Sequence, residues 1–132
     1  MYCLDTNILL RCIVQDDPVQ TPKALKFLRK AVEDKKEIYV SDVVFMETAW
    51  VLKRRYSHDA TEIRSALEPL LTDKTIRFDN PARLTLALET FSKHRLSLHD
   101  AYVAACAAEN DEALVVTFDQ DFKKMPIRTI EP

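Results

Sequence analysis

Short apolar segments alternate with longer segments of helical periodicity along this chain of 132 residues. The short segments favour strands and lie at residues 2–5, 37–41, 75–78, 113–117 and, as an edge strand, 128–130. Such alternation predicts an α/β sandwich with a mainly parallel sheet, because parallel strands need helical connections. We see no linker or internal repeat, and the length suits one core, so we expect a single domain over residues 1–132.

Capping residues mark where the helices begin. Helices are predicted over residues 6–14, 22–34, 42–56, 60–71, 81–93 and 98–109. The last five of these follow residues that favour helix starts, which are Thr21 before Pro22, Ser41, Asp59 with Glu62 in a capping-box pattern, Asn80 before Pro81, and Ser97.

The chain contains no glycine. This excludes the glycine-rich loops that bind nucleotide phosphates in dinucleotide-binding and P-loop proteins. It also removes the usual residue that closes a helix, so we expect Asn, Asp and Lys to close the helices here.

Composition indicates a soluble cytoplasmic protein, since no apolar run is long enough to span a membrane and no signal peptide is evident. The three cysteines, Cys3, Cys12 and Cys106, lie in apolar stretches without CxxC spacing, which predicts buried free thiols. The net charge of −2 is only a weak objection to a nucleic-acid partner, because bound metal would offset local acids.

Four widely separated acids lie where strand-like patterns give way to helices or turns, or inside an apolar helix. They are Asp5, Glu47, Asp100 and Asp119. If folding gathers them, they form a cluster that needs a cation, and carboxylate oxygens favour Mg²⁺ or Mn²⁺. Such ions serve phosphoryl chemistry, so a phosphodiester substrate is expected.

Each acid also has a purely structural interpretation. Asp5 could only cap a helix, Asp100 could share a capping arrangement with Ser97, and Asp119 could only stabilise a turn. Glu47 lies among Val43, Met46, Trp50 and Val51, so we expect its carboxylate to face the apolar side, where it needs either an arginine or a cation.

Polar neighbours could support the acids, and a basic segment could bind substrate. The supporting candidates are Thr6, Asn7, Thr117 and Asp121. Lys53, Arg54 and Arg55 could contact RNA phosphates or only complement the C-terminal end of a helix dipole. The three histidines share no ligand spacing, and no nucleophile–histidine set can be assembled.

The segments LDTNILL, SDVVFMETAWVL, SLHDAYVAA and VVTFDQDF, in this order, resemble the four motif regions of the PIN-domain ribonucleases, and most closely the VapC toxins of toxin–antitoxin pairs. The resemblance implies a three-layer α/β/α fold and an acidic quartet of Asp5, Glu47, Asp100 and Asp119. It further implies a Mg²⁺ or Mn²⁺ cofactor, an RNA substrate, a cognate antitoxin and a homodimer.

Two other classes of function remain. A phosphatase or phospho-acceptor α/β domain also places aspartates at strand ends, but it usually has an acid pair near its first strand, whereas Asp5 stands alone here. A non-catalytic PIN-like module that binds RNA or protein is the second alternative, and the complete set of four acids weighs against it.

Overall fold

A computed structural model describes residues 1–94 and 96–132. The chain forms two compact units, Met1–Asp79 and Asn80–Pro132. Each unit contains helices and a parallel strand pairing, as the predicted α/β class requires. The single domain over residues 1–132 stays a prediction.

The first unit is built on a three-stranded parallel sheet in the order β1-β2-β3. Its elements are β1 (Tyr2–Cys3), α1 (Thr6–Val14), α2 (Gln20–Glu33), β2 (Ile38–Tyr39), α3 (Asp42–Tyr56), α4 (Ala60–Thr72) and β3 (Ile76–Arg77). The ladder continues beyond these short strands, because Leu4 N–H donates to the Tyr39 carbonyl at 2.9 Å and Val40 N–H to the Arg77 carbonyl at 3.0 Å. The predicted strand segments therefore do pair, although each regular strand is only two residues long.

The core of the first unit collects apolar side chains from its strands and helices. Fully buried members include Val40, Phe45, Leu52, Ile63 and Leu67. The rings of Phe45 and Phe78 meet edge to face with centroids 5.9 Å apart. Helix α1 packs against both α2 and α3, so it is held between these two helices.

The second unit contains α5 (Pro81–Lys93), α6 (Leu98–Ala107), β4 (Val115–Val116), a 3₁₀ helix (Gln120–Lys124) and β5 (Thr129–Ile130). Strands β4 and β5 pair in parallel, so the predicted edge strand is confirmed. The apolar run at residues 113–117 is buried on one side only, since Val115 is buried whereas Val116 is 64% exposed.

Most of the predicted helix starts are confirmed by their caps. Ser41, Asp59, Asn80 and Ser97 each accept a backbone N–H from the first turn of the helix that follows. The capping box of Asp59 and Glu62 forms in both directions, at 2.8 and 3.3 Å.

The predicted start of α2 at Pro22 is wrong, since the helix begins at Gln20. The Asp17 carboxylate accepts the N–H groups of Val19 and Gln20 at 2.9 and 2.6 Å, which starts the helix two residues early. The Thr21 hydroxyl, expected as the cap, instead donates to the Arg11 carbonyl at 3.3 Å.

Without glycine, other residues adopt the left-handed backbone conformation after helices. Gln15, Lys35 and Ser57 have φ angles of 55°, 52° and 55°. Aspartate closes α2 and α4, as expected, but Gln15 and Ser57 close α1 and α3. Each left-handed residue with a Cβ costs roughly 1 kcal/mol relative to glycine.

The prediction of buried thiols is wrong for Cys3, which is exposed at the start of the sheet, and only half right for Cys12 and Cys106, which are partly buried. All three are free, and burial raises the pKa of the Cys12 thiol. No helix in the described part of the chain is long and apolar enough to cross a membrane.

Candidate active site

In the first unit, a hydrogen bond joins two of the predicted site residues. Thr6, the first residue of α1, is buried, and its Oγ1 donates to Glu47 Oε2 on α3 at 2.5 Å. A hydroxyl bonded to a carboxylate is a charge-assisted hydrogen bond, which is short and strong. Because Thr6 directly follows Asp5, this bond places Glu47 beside the carboxyl end of β1.

Asp5 occupies the cap position of α1 without capping it. Its backbone is extended, with φ −89° and ψ 157°, and its side chain makes no capping hydrogen bond. Only the Asp5 carbonyl enters the helix, accepting N–H from Ile8 at 3.1 Å. The structural interpretation of Asp5 as a cap is therefore wrong, and its exposed carboxylate is available to a ligand.

Glu47 is exposed, so our expectation that it faces the apolar side of α3 is wrong. Helix α3 carries apolar residues on more than one face, because Val43 and Trp50, beside Glu47, are 75% and 60% exposed while Phe45 and Leu52 are fully buried. No ion pair with Glu47 exists among residues 1–94 and 96–132. The arginine alternative is thus absent from the described chain, and Thr6 is what holds the carboxylate.

In the second unit, Asp100 lies in the first turn of α6. Its N–H donates to Ser97 Oγ at 3.0 Å, so Ser97 caps the helix. The reciprocal half of the predicted arrangement is missing, since the Asp100 carboxylate has no hydrogen bond within the part of the chain that the structure describes. Asp100 is half-exposed and, like Asp5, keeps its oxygens for another partner.

A tight turn after β4 orients Asp119. Its N–H donates to Thr117 Oγ1 at 2.9 Å, and its Oδ1 accepts the Asp121 N–H at 2.8 Å. One carboxylate oxygen of Asp119 stabilises the turn, as the structural interpretation held, and the other is left for a ligand. Asp121 is paired instead with Lys124 at 2.5 Å, which suits a turn residue.

Each of the four predicted acids offers donor atoms that a hard divalent cation prefers. Asp5 and Glu47 in the first unit and Asp100 and Asp119 in the second offer oxygen atoms only, and none of these carboxylates is neutralised by a basic side chain in the described residues. Within residues 1–94 and 96–132, no three His, Cys, Asp or Glu side chains lie close enough together to hold a metal ion. The combined action of all four acids therefore stays a prediction.

The basic segment at the end of α3 is exposed. Lys53, Arg54 and Arg55 lie in the last turn, and the Arg54 guanidinium lies 6.0 Å from the centre of the Trp50 ring. Both interpretations of this segment, the dipole and the RNA contact, are compatible with that placement, and the RNA contact stays a prediction.

Sequence reasoning missed a pocket on the first unit. It has a volume of about 460 Å³ and lies between α1 and α2, where Asn7, Arg11, Lys23 and Phe27 line it. The signal was present, since Lys23 and Phe27 are four residues apart on a predicted helix and therefore share a face.

It also missed a network between α5 and the end of α6. Arg83 donates to both carboxylate oxygens of Glu109, from Nε at 2.6 Å and from Nη2 at 2.7 Å, and Asn80 adds a bond to the same carboxylate at 2.9 Å. Arg83 lowers the pKa of Glu109 below its usual range. No spacing rule links residues 26 positions apart, so only the fold could reveal this pair.

Comparison with known proteins agrees with the resemblance found in the four motif segments. The PIN domain family matches residues 2–127, nearly the whole chain. A VapC ribonuclease from Aquifex aeolicus is 23% identical over 133 residues, covering all of this chain and 97% of that protein. The predicted PIN-like α/β fold is thereby confirmed, and the chain belongs to the PIN domain family.

Proposed function

We propose that this protein is a metal-dependent endoribonuclease that hydrolyses RNA phosphodiester bonds, acting as the toxin of a VapBC-type toxin–antitoxin pair. The observation that carries the proposal is the hydrogen bond between Thr6 and Glu47, which lies beside Asp5, a residue whose carboxylate does not cap α1. Two acids held at the end of a parallel strand are what a phosphodiesterase needs there, and residues 2–127 match the PIN domain family.

Asp5, Asp100 and Asp119 would hold Mg²⁺ or Mn²⁺, with Glu47 completing the set. When bound, the cation supplies a water of lowered pKa and stabilises negative charge on the phosphoryl oxygens. Thr6 occupies Oε2 of Glu47, which leaves Oε1 to orient the attacking water and accept its proton. The Thr117 hydroxyl accepts the backbone N–H of Asp119 and so fixes the turn that carries this carboxylate.

The partners follow from the same proposal. The substrate is RNA, a cognate antitoxin inhibits the enzyme, the active form is a homodimer, and the location is the cytoplasm. Asn7 extends the polar edge of the site at the start of α1, and Lys53, Arg54 and Arg55 contact the RNA backbone. The two units act as one domain, which the single family match across both supports.

The test compares cleavage of RNA fragments by the wild type, Asp5→Asn and Asp111→Asn, with EDTA and with millimolar Mg²⁺ or Mn²⁺. We expect cleavage by the wild type only with metal. Asp5→Asn should be inactive yet folded, because within residues 1–94 and 96–132 the Asp5 carboxylate makes no hydrogen bond that the amide would lose. Asp111→Asn removes one exposed charge outside the site and should cleave normally. Normal cleavage by Asp5→Asn would refute the proposal.

A phospho-acceptor function makes a different prediction. Asp5 would then become covalently phosphorylated by a small phosphodonor such as acetyl phosphate, and mass spectrometry would find the added phosphoryl group. We expect no such adduct.

A further inference from the structure

The pocket between α1 and α2 lies between Asp5, which precedes α1, and the basic residues of α2. Its lining begins at Asn7, two residues after Asp5, and continues along α1 to Arg11. Asn7 and Arg11 are four residues apart and therefore share one face of the helix, separated by about 6 Å along its axis. The pocket therefore begins two residues from Asp5, within reach of a nucleic-acid strand that is held at Asp5.

Helix α2 concentrates positive charge in a chain whose net charge is −2. It carries four basic residues against a single acid, Glu33. Lys30 is paired with Asp34 at 3.1 Å, whereas Lys23 has no ion pair among the residues that the structure describes. Lys23 lines the pocket and is exposed, so its ammonium group is available to an anion.

Arg11 forms a fixed cationic wall of the pocket. Its Nε donates to Gln20 Oε1 at 2.8 Å, and its Nη1 lies 3.1 Å from Asp16 Oδ1. Asp16 offsets part of this charge, which makes Lys23 the stronger candidate for a phosphate contact. Since these bonds hold the guanidinium in place, Arg11 needs little ordering when a ligand arrives.

An aromatic ring completes the pocket. Phe27 is 46% exposed, and Tyr2 meets it edge to face with centroids 5.0 Å apart. This contact orients the Phe27 ring while nearly half of it stays open to solvent. Phe27 lies one turn after Lys23, so an aromatic surface and a free cation are neighbours on α2.

We propose that this pocket is a subsite for an unpaired nucleotide next to the cleaved bond, with its phosphate on Lys23 and Arg11 and its base against Phe27. The proposal deepens the ribonuclease function and rests on it. A cationic surface with an interleaved aromatic ring is how proteins hold single-stranded nucleic acid, because every base offers a face for stacking. A run of acidic side chains could use the cations, but it has no aromatic face to stack on Phe27.

The test measures binding without cleavage. A fluorescein-labelled short single-stranded RNA is titrated with the whole protein in EDTA, and fluorescence anisotropy is recorded at several salt concentrations. The variants are Lys23→Gln, Phe27→Ala and Phe27→Trp. Lys74→Gln is the matched control, since Lys74 is exposed in the same unit and does not line the pocket.

We expect Phe27→Ala to weaken binding about tenfold, because stacking on one base contributes that much, and Phe27→Trp to keep wild-type affinity. Lys23→Gln should weaken binding and lower the slope of log K against log salt by about 0.7, the value for one phosphate contact on a single strand. Lys74→Gln should leave both quantities unchanged. In cleavage assays with Mg²⁺, Lys23→Gln and Phe27→Ala should raise KM more than they lower kcat.

Two results would overturn the subsite. One is wild-type binding by both Lys23→Gln and Phe27→Ala. The other is equal competition by polyglutamate with no effect of Phe27→Ala, which would make the pocket a contact for acidic protein. Metal-dependent cleavage by the wild type is scored separately, so the ribonuclease function can stand when the subsite fails, and a protein that cleaves no RNA would refute the function itself.

Discussion

Replacing Thr6 with valine tests the contact on which the candidate site depends. Thr6 is 5% exposed, and its hydroxyl reaches from α1 to the Glu47 carboxylate on α3 at 2.5 Å. Valine keeps the branched shape, so the substitution leaves no cavity and removes only the donor. The measured effect therefore reports the hydrogen bond.

The expected cost in stability is moderate. A hydrogen bond to a charged group contributes about 1.5–3 kcal/mol when both partners are buried. Glu47 is exposed, so water replaces the lost donor on its side, and the cost falls to about 1 kcal/mol. For a chain of this size, that change lowers Tm by about 3–5 °C.

The effect on activity should be larger than the effect on stability. Residues that hold a metal ligand in place typically change metal affinity or activity about 10–100-fold when they are removed. We expect Thr6→Val to lose cleavage in that range at a temperature where it is fully folded. Thr6→Ser keeps the hydroxyl and should recover most of the activity.

Thr48 supplies the matched control. It is fully buried on the same helix as Glu47, but its hydroxyl donates to the Val44 carbonyl of its own helix at 2.7 Å. Thr48→Val therefore removes a buried hydroxyl without breaking a contact between helices, and such a local bond adds little stability. We expect its Tm and its cleavage rate to match the wild type.

Thermal unfolding in EDTA, followed by circular dichroism, and RNA cleavage in Mg²⁺ provide the two measurements. A double-mutant cycle with Glu47→Ala, which removes the acceptor, isolates the coupling between the partners. Additive effects of Thr6→Val and Glu47→Ala, or equal losses from Thr6→Val and Thr48→Val, would refute the role assigned to this bond.

Three further outcomes are expected. Mg²⁺ should raise the Tm of the wild type, since a ligand that binds only the folded state stabilises it, and Asp5→Asn should reduce that rise. Lys35→Gly should raise the free energy of unfolding by about 0.5 kcal/mol, because glycine removes the Cβ at a φ of 52°. A higher urea midpoint would show this gain. Glu109→Gln should lower Tm at neutral pH. That loss should vanish in acid, because Arg83 lowers the pKa of Glu109 from 4.5 and the pair contributes only above that lowered value; a difference that persists in acid would contradict this.

Helix starts could be predicted because their signals are local. A cap needs only one side chain and the backbone two or three residues later, and Ser41, Asp59, Asn80 and Ser97 satisfied that condition. The predicted start of α2 was wrong for the same physical reason, because Asp17 lies earlier in the chain and its carboxylate accepts the N–H groups of Val19 and Gln20.

The environment of Glu47 could not be predicted because α3 has no single apolar face. Periodicity assigns burial only where polar residues mark the opposite side, and Val43 and Trp50 occupy that side here. The identity of Glu47 as a site candidate came from its unusual position among apolar residues, whereas its partner, Thr6, lies 41 residues away and was named only as a polar neighbour of Asp5.

The Asp5 carboxylate differs from those of the structural acids because it caps no helix. The carboxylates of Asp17 and Asp59 accept hydrogen bonds from backbone N–H groups, and the carboxylate of Glu109 accepts them from Arg83. Asp5 stands at the cap position of α1, as Asp59 does for α4, yet within residues 1–94 and 96–132 its carboxylate makes neither kind of bond. Since a cap adds about 1 kcal/mol, an acid that leaves the cap position of α1 unsatisfied gives up that stability, and the loss is reasonable only where the carboxylate oxygens serve a ligand.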